Sequence, residues 1–119
     1  MAAPDETGEA GFLAGLRRCG CESQTREGII VFEVFPTAGS RRGQPVETGV
    51  NTEELKAWPN VPPHWVHLPK SVTFGHTNAR PSPIPGWQMH SRNVARWGNA
   101  NEPLQGWIDN VRAVLEEAQ

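Results

Sequence analysis

The side chains able to do chemistry gather in the second half of the chain. No Asp or Glu lies between Glu54 and Glu102, yet that window holds all four histidines, His64, His67, His76 and His90. It also holds Lys56, Lys70, Arg80, Arg92 and Arg96. A chain of net charge −2 can therefore present one positive face, suited to an acidic tail or partner, or simply solvated. His64 and His67 are three apart on a Pro-flanked stretch of strand character. They are expected on opposite faces, which disfavours a shared metal. Cys19 and Cys21, in RRCGCES, are too close for an unstrained disulfide. No matching pair of histidines lies near them to complete a zinc site, and they read as reduced thiols. No cysteine follows Cys21. The chain has no Gly-rich phosphate loop, no HExxH and no paired-carboxylate signature, and no cofactor is expected.

Composition bounds what can position these residues. The 119 residues suffice for one domain with a modest core. Eleven Pro and twelve Gly exclude an all-helical bundle. With five Trp, four Phe and no Tyr, indoles must carry much of the aromatic packing; Trp58, Trp65, Trp87 and Trp97 read first as core or loop anchors. The net charge argues against bulk attraction to nucleic acid or an acidic membrane. No apolar run approaches the roughly 18 residues of a membrane span. The start, MAAPDETGEA, lacks the cationic and apolar segments of a signal peptide. A soluble, cytoplasmic protein is the expectation.

Residues 1–8 read as a flexible tail and 9–119 as one domain. EAGFLAGLRR (9–18) is a short helix stopped by Gly20. GIIVFEVF (28–35) is a strand buried on both faces for most of its length, with Glu33 the exception. VETGV (46–50) returns antiparallel to it. NTEEL (51–55) is a turn capped by Thr52, and WPNVPP (58–63) a rigid extended bend. HWVHL (64–68) alternates His64, Val66 and Leu68 against Trp65 and His67, and SVTF (71–74) continues or returns it. GHTNARPSPIPG (75–86) is a long irregular loop, and long loops in small domains are often functional. WQMHSR (87–92) resumes order. From Pro103, Leu104, Trp107, Ile108, Val111, Val114 and Leu115 form one stripe of a helix. The class is α+β: an antiparallel β-meander with N-terminal and C-terminal helices packed on one face.

Several of these segments, in this order, resemble the ubiquitin-conjugating (E2) family. Trp58-Pro59 and Pro62-Pro63 match the spacing of that family's Tyr-Pro-x-x-Pro-Pro bend. His76-Thr77-Asn78 is similar to its His-Pro-Asn turn, with Thr for Pro. Trp97 and the helix from Pro103 resemble its Trp segment and crossover helix. PGWQMHSRNVARW looks like the bacterial branch called prokaryotic E2 family E. The resemblance covers roughly residues 26–118. It implies a place in a bacterial ubiquitin-like conjugation system. The implied partners are an E1-like adenylating enzyme, a ubiquitin-like modifier and a JAB-type peptidase.

The chain departs from the family at the carrier residue, because no cysteine stands a few residues after Asn78. Cys19 and Cys21 lie at the end of the first helix, before the sheet, and are expected to be dispensable. Two readings stay open. In the catalytic one, Ser91, near the family's nucleophile position, accepts the modifier as an oxyester. A hydroxyl is a weak nucleophile and needs a base and charge stabilisation. His76 is the geometric choice for the base. His90 adjoins Ser91, but strand neighbours point apart, so it serves only if the chain turns there. Asn78 donates its amide to the developing oxyanion, and Arg92 assists electrostatically. In the other reading these residues are structural, and the domain is a non-catalytic E2-variant adaptor that binds the modifier or the E1-like partner.

Overall fold

The apolar run in the first third of the chain makes an interior strand of the sheet, second from one edge, with both of its faces covered. In a computed structural model, which describes residues 7–75, 78–92, 94, 97 and 102–119, strand β2 spans Ile29–Val34. Ile30, Phe32 and Val34 face the main core, while Ile29 and Val31 pack with Ile84 and Trp87 on the other side. Glu33 alone is exposed in that strand.

Helix α1 spans Gly8–Arg18 and β1 spans Ser23–Arg26. β3 is Val46–Asn51, and a 3-10 turn follows at Thr52–Leu55. β4 is Trp65–Pro69, β5 Ala79–Pro81 and β6 Trp87–Ser91. Helix α2 spans Pro103–Glu116. The sheet order is β1-β2-β3-β4-β6-β5, with antiparallel pairing throughout. The α+β class and the two packed helices agree with the sequence reading. The meander holds only through β4; there the chain steps out to the edge as β5 and returns between β4 and β5 as β6.

Four details differ from expectation. β1 has no apolar alternation to announce it. It pairs with β2 through the two-residue turn Glu27-Gly28, both residues at positive φ, the conformation that suits a tight hairpin. The cap of the 3-10 turn is Asn51, whose side chain accepts from the Glu53 N–H at 2.9 Å, not Thr52. Residues 71–74 form no strand. The long loop, in turn, contains the short β5. Pro81 is tolerated there because β5 is an edge strand, where a missing N–H costs no ladder bond.

The helices share one core. At the end of α1 the Cys21 N–H bonds the Leu16 carbonyl and the Gly20 N–H that of Arg17, with Gly20 at φ +75°, a glycine stop of the Schellman type. α2 begins with Pro103, and the Glu102 carboxylate accepts from the Leu104 N–H. The same carboxylate takes two bonds from Arg18, at 2.9 and 3.1 Å. The helices touch closely at Gly15, where a Cβ would stand 2.8 Å from that of Leu104. Leu104, Trp107, Ile108, Val111 and Leu115 are buried with Phe12, Leu16 and the inner side chains of β2, β3 and β4. Each such side chain contributes about 1.5–3 kcal/mol on burial. Trp107→Ala is therefore expected to lower the unfolding free energy by about 3–5 kcal/mol in a urea titration. The Trp107 Nε1 is buried and has no hydrogen-bond partner among the described residues, so Trp107→Phe is expected to lose much less.

Candidate functional site

Ser91 ends β6, and its position is fixed by main-chain pairing on both sides. It lies opposite Trp65 of β4, and its N–H donates to the Asn78 carbonyl, just before β5, at 3.0 Å. The Arg92 N–H donates to the His64 carbonyl at 2.9 Å. This register carries His64 to Ser91. The two meet with Nε2 and Oγ 2.5 Å apart. With the imidazole proton on Nδ1, Nε2 accepts from the hydroxyl, which is the geometry of a serine and its general base. His64, Trp65, Asn78, Ala79, Arg80 and Ser91 line an open groove of about 550 Å³, so the pair faces solvent and has room for an acyl group.

Alternation along 64–68 placed His64 with Val66 and Leu68. The strand instead starts at Trp65, and the His64 ring stands edge-on to the Trp65 ring at 5.4 Å. Its main chain is held from both sides. The Arg92 bond takes its carbonyl, and its own N–H donates to Oε1 of Glu54 at 3.0 Å. Glu54 belongs to the 3-10 turn, anchored by the buried Leu55. Burial raises the Glu54 carboxyl above the usual range, against the opposing pull of the His64 and Trp65 N–H groups and of the nearby imidazole. On the far side of the groove the Arg80 guanidinium lies over the Trp65 ring at 5.5 Å. Trp65 thus supports the site, whereas Trp58 is a core anchor packed on Phe12 and Trp97. Trp97 in turn donates its indole N–H to the Pro59 carbonyl at 2.7 Å.

Of the five residues singled out in the sequence, the structure brings Ser91 and Asn78 to one groove. His76 lies outside the described residues. His90 does not reach Ser91: it is fully buried, opposite Val66 and against the Phe74 ring at 4.9 Å. Burial, then the Arg92 charge, lowers its pKa. Arg92 donates to the Ser91 carbonyl at 2.7 Å and lies over Phe74 at 5.2 Å. It braces the main chain behind Ser91. His64, the imidazole that meets Ser91, was not among the candidates read from the sequence. Only the pairing of 65 with 91 could have revealed it.

A second Ser–His pair shows what burial removes. His67 Nδ1 and Ser82 Oγ are 2.8 Å apart, but His67 is fully buried. Burial, with a smaller contribution from His90, lowers the His67 pKa to about 4. The folded state therefore favours neutral His67. Stability should be complete above the ordinary histidine range and fall as pH drops from about 6.5 toward 4, by up to roughly 3 kcal/mol. Urea titrations across that window are expected to show this fall in the wild type and a flatter profile in His67→Gln.

Cys19 and Cys21 are half-buried and line a different groove with Ile108 and Arg112. Burial raises both thiol pKa values, which lowers the nucleophilic thiolate fraction. Among the described residues no three His, Cys, Asp or Glu side chains are grouped to hold a metal ion, and no helix is long and apolar enough to cross a membrane. Comparison with protein-family models, curated proteins and solved structures finds no match.

Proposed function

We propose that the chain is an E2-like carrier in a bacterial ubiquitin-like conjugation system, and that Ser91 accepts the activated carboxyl end of the modifier. The observation that carries this reading is the Ser91 Oγ–His64 Nε2 contact, 2.5 Å long, at the mouth of a groove rather than in the core. In the transfer, a bond forms between Ser91 Oγ and the acyl carbon while the bond from that carbon to the E1-like partner's thiol sulfur breaks. His64 takes the hydroxyl proton and returns it to the leaving thiolate. Asn78 lines the same groove, where its carboxamide can donate to the oxyanion. The order of a helix, consecutive antiparallel strands, a Pro bend ahead of β4 and a C-terminal helix supports the E2-like part of the reading. The raised pKa values of Cys19 and Cys21 support a hydroxyl carrier over a thiol.

The test is the intact mass of the protein after incubation with an E1-like adenylating enzyme, a ubiquitin-like modifier and ATP. The expected product has the mass of the two chains less one water. It should resist reducing agents and be cleaved by hydroxylamine. Tight non-covalent binding of the modifier with no such product would overturn the carrier role and assign the chain as an adaptor.

A further inference from the structure

We infer that Glu54 is the positioning residue of the Ser91–His64 pair: its carboxylate, bound to the His64 backbone N–H, sets the imidazole against Ser91 and stabilises the imidazolium formed as Ser91 attacks. This rests on the carrier reading above. Two features separate Glu54 from an ordinary strand clamp. Its Oε1 accepts the His64 N–H at 3.0 Å and the Trp65 N–H adds to the pull on the carboxylate, yet its Oε2 is buried and no bond of normal geometry reaches it among the described residues. A carboxylate oxygen left in that state costs free energy and calls for an explanation other than stability. It is also the last acid before Glu102 in the sequence. Among the described residues, the other charges placed beside the pair are cations: Arg80 from β5, over Trp65, and Arg92 after β6, against the Ser91 carbonyl. Lys56, on the same turn as Glu54, is directed to Glu53 at 3.2 Å. Glu54 is the anion placed beside His64 and can offset the charge formed on the imidazole as Ser91 attacks. Burial raises the Glu54 carboxyl, as expected for a charge kept in a costly place.

A fluorophosphonate probe tests the proposal. Its reaction forms a bond from Ser91 Oγ to phosphorus, expels fluoride and sends the hydroxyl proton to His64. Labelling of Ser91 is followed by peptide mass from about pH 5 to 9. Glu54→Gln keeps an oxygen for the His64 N–H but removes the charge. The labelling rate on its plateau is expected to fall roughly 10-fold, and the acid limb of the profile to move to lower pH, with the melting temperature little changed. Glu54→Ala, which also loses the backbone bond, should lose more rate and some stability. A Glu54→Gln profile that overlays the wild type, in both rate and position, overturns the role of Glu54 and leaves the carrier reading intact. Equal labelling of wild type and His64→Ala overturns the carrier reading itself, and absence of labelling in wild type overturns both.

Discussion

Ser91→Ala is expected to abolish the covalent adduct with the modifier and the labelling of this position by the fluorophosphonate probe, while the protein stays folded. The side chain is half-buried and its hydroxyl bonds His64, so its loss removes one exposed hydrogen bond, worth about 0.5–1.5 kcal/mol. The strand pairing at this position is main-chain bonding, through the Ser91 N–H to Asn78 and the Arg92 N–H to His64, and does not use the hydroxyl. Ser82→Ala provides the internal control. Ser82 also meets an imidazole at 2.8 Å, but His67 is fully buried and Ser82 Oγ also accepts the Ile84 N–H. The Ser82 variant should form the adduct at the wild-type rate. Ser91→Cys should still form an adduct, now a thioester cleaved by reducing agents, because a thiolate needs less help from a base. Adduct formation that survives Ser91→Ala would move the carrier elsewhere and overturn the assignment.

How much of this could be read from the sequence depends on whether a signal was local. The Ile29–Val34 run and the stripe from Leu104 to Leu115 are local patterns of burial, and both elements form where those patterns lie. Ser91 and Asn78 were legible as candidates, and they share a groove. β1 was not legible because SQTR is polar and exposed, and its only cue is the Glu27-Gly28 turn. The Ser91–His64 contact was not legible for a different reason. It depends on the register of β4 against β6, Trp65 opposite Ser91, across a proline-rich segment whose return no periodicity encodes. Alternation alone also misassigned His64, since that rule holds only inside a strand and His64 precedes β4. Glu54 was hidden in the same way. It was counted as part of a capped turn, and its partner is ten residues on, where the Pro bend brings the chain back.

His64→Ala is expected to slow acylation of Ser91 by roughly 10²–10⁴-fold, the usual worth of a positioned general base. The substitution is a clean one because the backbone at residue 64 is anchored by its own N–H to Glu54 and by its carbonyl to the Arg92 N–H. Neither bond involves the ring. Among the described residues the ring also packs edge-on against Trp65 and lies near the Glu54 carboxylate, and residue 64 is exposed, so the loss of stability should be small. Added imidazole should restore part of the rate, since the removed ring leaves space at the edge of an open groove. The same assay decides between His64 and His76, the base expected from the sequence. A strong effect of His76→Ala with none from His64→Ala would place the base in the segment before Asn78 and reduce the Ser91–His64 contact to a surface hydrogen bond. A strong effect of His64→Ala, with rescue by imidazole and a wild-type rate in His76→Ala, makes His64 the group that takes the proton.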